Sequence, residues 1–256
     1  MRFCYQTGVF ILVALLAGCG SAPKDEFRTN SSVSATTAAE ANANLGLGYM
    51  RQGNYSEALT KLERALQQNP KLARAHHYIA ELYNRLNERE LADKHYAAAL
   101  KLDPRDASAH NNYGAFLCAQ GRYEEAEPHF LAAVRNPLYN GRAASYENAA
   151  LCASRAGDDV KAEKYFHAAL ELNSRLPRAL YRLAEINYRK QHYLPARAYL
   201  QRYEAIAAPV AESLWLGFRI EKQAGNEQAA EEYARQLEQS HPGYAPWRQY
   251  QLDGKI

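Results

Sequence analysis

From residue 39 the chain repeats itself every 34 residues, and this period constrains the fold more than any local propensity does. Segments starting at Ala39, Ala73, Ala107, Ala143, Pro177 and Ala211 align, with a step of 36 between the third and fourth. The two extra residues fall within 136–141. The twentieth position is alanine in every segment: Ala58, Ala92, Ala126, Ala162, Ala196 and Ala230. The eighth is Gly46, Ala80, Gly114, Ala150 and Ala184, and only Phe218 departs from the rule. The twenty-seventh is Ala65, Ala99, Ala133 and Ala169, then Tyr203 and Leu237. A large residue fills the twenty-fourth in five segments: Leu62, Tyr96, Phe130, Phe166 and Leu200.

This pattern describes a helical hairpin. Each segment holds two stretches of helical length around a turn at Gly53, Asn87, Gly121, Gly157, Gln191 or Gly225. Small residues at positions 8 and 20 let the two helices approach closely, and the large residue at 24 fills the gap that remains, as close packing requires. Prolines at 70, 104, 137, 209 and 242 cannot continue a helix and reset the chain for the next hairpin. One hairpin cannot bury its apolar face, whereas a stack of six can.

These residues resemble the tetratricopeptide repeat. The first segment carries the likeness most fully, in Leu45, Gly46, Tyr49, Gly53, Tyr55, Ala58, Leu62, Ala65, Leu66 and Pro70. The resemblance implies an all-α fold, a right-handed superhelical solenoid of about six repeats over residues 38–242, with boundaries near 39–72, 73–106, 107–142, 143–176, 177–210 and 211–242. The sixth repeat is degenerate, as terminal repeats often are, and a tail at 243–256 either covers the end of the stack or frays. In this repeat family the first helix of each unit lines a concave groove, mainly through positions 2, 5, 9, 12 and 13. That places Ala43, Leu47, Met50 and Arg51 in the groove as an apolar patch, with His77 and Glu81 from the second unit. Tyr181 and Tyr188 follow from the fifth, and Trp215 with Arg219 from the sixth. Tyr, Trp and Arg are enriched in binding hot spots. A family subgroup that recognises acidic C-terminal peptides has Lys and Asn at positions 5 and 9 of its first repeat; Ala43 and Leu47 stand there, so that specificity is not expected.

Charge and motifs narrow the function further. Lys and Arg number 31 against 28 acidic residues, mixed along the chain without a basic block, so nucleic acid is not an expected partner. There is no Gly-rich phosphate loop, no G-x-S-x-G, no H-E-x-x-H and no C-x-x-C, and no enzyme activity, cofactor or metal is expected. His76 and His110 occupy the fourth position of their units, where the repeat family has a packing residue, and read as structural.

The N-terminus supplies an address. Arg2 precedes an apolar run from Val9 to Ala17, far shorter than the roughly 20 residues of a membrane-spanning helix. The run ends in Leu16, Ala17, Gly18 and Cys19, which resembles the lipobox of bacterial lipoproteins. The likeness implies that residues 1–18 are a signal peptide and that Cys19 becomes a lipidated N-terminus, the chain's only membrane anchor. Gly20 is not the Asp that retains lipoproteins in the inner membrane, so the implied location is the periplasmic face of the outer membrane. Residues 19–37 are polar and rich in Ser and Thr and read as a flexible linker, with a span of roughly 20–25 Å.

Signal, lipobox, six repeats, total length and a cysteine pair in units three and four together resemble the type IV pilus biogenesis and stability lipoproteins, the PilF/PilW pilotin family. The resemblance implies binding of type IV pilus secretin subunits in the groove, escort of the secretin to the outer membrane and its multimerisation there, with twitching motility dependent on it. The alternative is a periplasmic tetratricopeptide adaptor lipoprotein for barrel assembly or peptidoglycan enzymes.

Cys118 and Cys152 fall on the first helices of units three and four, which stack side by side in such a fold. In an oxidising compartment the pair is expected to form a disulfide; the alternative is two small buried thiols. The bridge would close a loop of about 34 residues and stabilise by very roughly 3–4 kcal/mol in the chain-entropy picture. Alkylation of the unreduced mature protein checks this: Cys118 and Cys152 should resist modification until reductant is added, and two freely reactive thiols would refute the bridge.

Overall fold

The structure, a computed structural model, describes the backbone of residues 25–253 and the side chains of residues 36–253. Thirteen α-helices and no strand occur among the described residues. They form antiparallel pairs: α1 (Asp25–Arg51) with α2 (Tyr55–Gln68), α3 (Ala73–Arg85) with α4 (Arg89–Leu102), and α5 (Ala107–Ala119) with α6 (Tyr123–Arg135). The series continues with α7 (Arg142–Arg155) and α8 (Asp159–Leu172), α9 (Pro177–Arg189) and α10 (Tyr193–Glu204), and α11 (Ala211–Gln223) and α12 (Glu227–Ser240). A short α13 (Ala245–Leu252) follows. Each pair also packs on the next, so the core is a ribbon of buried apolar residues that runs along the solenoid.

All six turns within the hairpins share one geometry. Their central residues have positive φ: Gly53 at 81°, Asn87 at 62°, Gly121 at 78°, Gly157 at 81°, Gln191 at 61° and Gly225 at 73°. In each, the next residue's N–H returns to a carbonyl five residues back, as Asn54 does to Tyr49 at 3.0 Å and Asn226 to Glu221 at 2.9 Å. This is the Schellman closure, in which a left-handed residue lets the chain satisfy the last carbonyls of a helix and reverse.

Small residues meet large ones where the hairpin closes. A Cβ added to Gly46 would lie 2.5 Å from Leu62 Cγ, and one on Gly114 would lie 2.9 Å from Phe130 Cε1. In the sixth unit the same contact has moved one residue along: a Cβ on Gly217 would lie 2.5 Å from Tyr233 Cε1. Phe218 is thereby released from position 8 and turns to α13, with ring centroids 5.3 Å from Trp247 and 5.1 Å from Tyr250. Trp247 is buried, and its Nε1 donates to Glu238 Oε2 at 2.8 Å. The tail therefore covers the end of the stack.

One expectation is corrected. The segment read as a flexible linker to residue 37 is helical from Asp25, as the N-terminal half of α1. The reason lies in the backbone: no Gly or Pro separates Asp25 from Gly46, and Asp25 with Glu26 places negative charge at the helix's positive end.

Gln191 holds a left-handed conformation that costs an ordinary residue about 1–2 kcal/mol and glycine almost nothing. Part of this gain is offset by glycine's greater freedom when unfolded. Gln191→Gly should therefore raise the melting temperature by roughly 1–3 °C in a chain of this size, measured by calorimetry.

Candidate partner-binding groove

Among the hollows that first helices help to line, one lies toward the N-terminal end of the stack and another at the fifth and sixth units. The N-terminal hollow has a volume of about 760 Å³ and is lined from α1 to α5 by Leu47, Arg51, His77, Glu81 and Asn112 among others. Leu138 and Tyr139, from the connection between α6 and α7 that holds the two-residue insertion, also line it. The repeat pattern located this insertion but gave it no purpose; the structure sets it at the wall of the hollow.

His77 anchors the floor. Its side chain is buried, with Nε2 3.1 Å from Asn112 Nδ2 and Nδ1 3.6 Å from Asp106 Oδ2. The asparagine can only donate through Nδ2, so the bonding assigns the proton to Nδ1, facing Asp106. Asp106 also caps α5 by accepting from the Ala109 N–H at 3.0 Å. Burial pushes the Asp106 carboxyl up, but its interactions with His77 and the Ala109 N–H outweigh this and hold it below the usual carboxylate range.

Two groove assignments are corrected. Ala43 and Met50 are 0% and 1% exposed and belong to one buried cluster with Ala75, Ile79 and Leu82 of α3. Positions 5 and 12 of the first unit face the neighbouring helix rather than the groove, and apolar side chains there form the joint between units. Leu47 and Arg51 keep their places on the surface of the hollow.

At the other end, Tyr181 lines an apolar hollow of about 320 Å³ with Pro177, Tyr203, Ala207 and Val210. Two turns further along α9 is Tyr188. Its ring lies 4.7 Å from Arg219 Cζ, and the Trp215 ring lies 5.4 Å from the same atom on another side. Trp215 in turn stacks on Phe218 and meets Tyr250 edge-on at 5.6 Å, so α13 fixes one wall of this bracket.

Cys118 and Cys152 are joined in a disulfide with Cα atoms 5.8 Å apart, tying α5 to α7 across the insertion. Cys19 lies outside the described residues. No group of three or more metal-ligating side chains exists among the described residues.

One repeated feature was only half visible in the sequence. His76 Nδ1 lies 3.0 Å from His95 Nδ1, and His110 Nδ1 lies 2.9 Å from His129 Nδ1. In each pair the first histidine's Nε2 contacts a proline carbonyl, of Pro70 at 3.1 Å and Pro104 at 3.1 Å. That contact assigns the proton to Nε2, so Nδ1 accepts from its partner. The equal 19-residue spacing of the two pairs is the signal that would have found them. Burial, followed by the facing histidine, lowers His95 and His129 to about 4.

The stacked helical hairpins define a tetratricopeptide repeat protein. The tetratricopeptide repeat family matches residues 39–72, 73–106 and 105–175. The chain is 34% identical over 246 residues to the type IV pilus assembly protein PilF of Pseudomonas aeruginosa PAO1, covering 96% of this chain and 97% of that one. A solved structure of Pseudomonas aeruginosa PilF superposes with a TM-score of 0.76 at 34% identity, over 86% of this chain and 99% of that chain. The structure of PilW, a type IV pilus biogenesis factor, gives 0.70 at 31% identity, over 84% and 98%. The chain belongs to the PilF/PilW family.

The histidine pairs give the fold a pH dependence of definite sign. The lowered pKa values of His95 and His129 mean that the unfolded chain binds protons first as pH falls below the ordinary histidine value of about 6.5. Stability is therefore complete above pH 6.5 and declines as pH falls toward 4. Melting temperature should drop between pH 7 and 5, and a His95→Gln/His129→Gln variant should show a flatter slope over that range.

Proposed function

We propose that the protein is an outer-membrane lipoprotein that serves as the pilotin of a type IV pilus system, binding secretin subunits in its groove and promoting their multimerisation at the membrane. The observation that carries this reading is the 34% identity to a type IV pilus assembly protein along nearly the whole of both chains. The lipobox-like sequence ending at Cys19 supports the anchor, and Gly20 supports the outer membrane. No helix among the described residues is long and apolar enough to span a bilayer, so lipid on Cys19 is the attachment the sequence offers. Stable anchoring needs more than one acyl chain.

The helical start of α1 alters the geometry of that anchor. Between Cys19 and Asp25 lie only Gly20 to Lys24, which reach at most about 20 Å when fully extended. Residues 25–38 then continue as helix, a rod of about 20 Å leading into the first repeat. The tether is short and then stiff, which holds the first repeat near the membrane. Confinement beside the secretin's own destination raises the effective concentration of the encounter.

Cys19→Ala is the direct test. The variant should keep its helical content and melting temperature, leave the outer-membrane fraction, and shift heat-resistant secretin multimers away from the outer membrane. Deletion of the protein should abolish those multimers and twitching. Unchanged fractionation of Cys19→Ala would refute the lipid anchor, and intact outer-membrane multimers in the deletion strain would refute the pilotin role and favour an adaptor for other envelope machinery.

A further inference from the structure

The arginines on the last two first helices differ in one respect. On α9, Arg178 pairs with Glu147, Arg182 with Glu185 at 2.7 Å, and Arg189 with Asp159 at 2.7 Å. Arg219, on α11, has aromatic rings at 4.7 and 5.4 Å but no hydrogen-bond acceptor or ion-pair partner among the described residues. Its Nε is buried without a hydrogen-bond partner, the only such side-chain atom among the described residues. Nε is closed off by its surroundings, so a partner reaches this guanidinium through its terminal Nη atoms, which are not enclosed and have no acceptor among the described residues.

The chemistry of the missing partner follows from the bracket. Tyr188 and Trp215 occupy ring faces against the guanidinium, which is how arginine stacks while its N–H edge stays directed elsewhere. The edge presents donors in a fork that matches a carboxylate. About two helical turns away on α9, roughly 10 Å, Tyr181 opens the apolar hollow of about 320 Å³. Arg178 and Glu212 both stand at the lining of that hollow; Arg178 is already paired with Glu147, and Glu212 repels a carboxylate there. The end of the groove thus offers an apolar seat beside Tyr181 and an anion seat beside Tyr188, about 10 Å apart along α9, the span of three residues in an extended segment of the polyproline II kind, whose three-residue turn points both side chains the same way.

We propose that this end of the groove binds an extended segment of a partner polypeptide that places an apolar side chain in the Tyr181 hollow and, three residues on, an Asp or Glu carboxylate against Arg219. It is a second recognition point, remote from the N-terminal hollow. It rests on the groove being a protein-binding surface but not on which protein fills it.

The test uses the purified full-length mature chain and an acetylated, amidated peptide, Ac-Gly-Leu-Ala-Ala-Glu-Gly-NH₂. Two control peptides carry Gln in place of Glu, or end in a free C-terminal carboxylate with no Glu. Binding is read by titration calorimetry and by the Arg219 Nε–H resonance in a protein with ¹⁵N-labelled arginine. The Glu peptide should bind about tenfold or more tightly than the Gln peptide, the loss expected for a charge-assisted pair, and should shift the Arg219 Nε–H signal. Arg219→Gln should erase the difference between the two peptides while circular dichroism shows the same helical content. The Nε–H reading is made on the unmutated protein, so it stands even where the variant folds poorly. Equal binding of the Glu and Gln peptides, absence of a shift at Arg219, or binding of the free-carboxylate peptide alone would each overturn the proposal. Secretin plays no part in the assay, so failure of the pilotin reading and failure of this site give different results.

Discussion

The whole solenoid depends on how closely two helices of a hairpin can approach. Where Gly46 faces Leu62 and Gly114 faces Phe130, there is no room for a Cβ without displacing the opposite side chain. The alanines at position 20 are 0–2% exposed in every unit, so the second helix presents an equally flat face. Close approach sets the thickness of each unit, and thickness sets how the next unit must lie. Because each unit touches only its neighbours, this one local constraint is read out along the whole chain. The groove is its geometric consequence, since a stack of equal wedges curves.

The sixth unit shows that the constraint is a contact and not a column of residues. Position 8 is lost to Phe218, yet the contact is kept by shifting to Gly217 and Tyr233. The freed phenylalanine joins Trp215, Trp247 and Tyr250 in an aromatic cluster that closes the end of the core. A stack must be sealed where it stops, and here the seal also builds one wall of the Arg219 bracket. Degeneracy of the last repeat in the sequence is the trace of that second task.

What the sequence disclosed followed from strict periodicity. Hairpin boundaries, turn positions and the close-approach residues recur at fixed offsets and were legible residue by residue. Asn87 and Gln191 could be placed at turns because their neighbours in register are glycine; asparagine is a common substitute at a left-handed position, whereas glutamine is not. Ala43 and Met50 were misplaced because periodicity gives the helix face only to within about one residue in four, and at the first unit the groove and the inter-unit joint are adjacent faces. The helical start of α1 was missed because its Ser- and Thr-rich composition reads as coil when no repeat supplies a register. The histidine pairs were half visible: His76 and His110 stood out at position 4, but their partners sit 19 residues on, on the opposite helix, where only the pairing gives them meaning.

The two ends of the groove divide the work of recognition by chemistry. The N-terminal hollow is held rigid by the buried His77 and by the Asp106 carboxylate, which at once faces that histidine and caps α5. His77 and Asp106 are already partnered there, and a partner meets Leu47 and the insertion residues Leu138 and Tyr139 together with the arginines Arg51, Arg74 and Arg105. At the C-terminal end the polar group is left unsatisfied, and a partner gains by completing it. A neutral residue in place of the carboxylate leaves the Arg219 guanidinium without an acceptor, so that end discriminates by charge. The disulfide between α5 and α7 lies between these ends and joins the two units whose register the insertion would otherwise loosen. It holds units three and four, which lie between the two seats, in fixed relation, so a segment long enough to reach both is judged on its spacing as well as its composition.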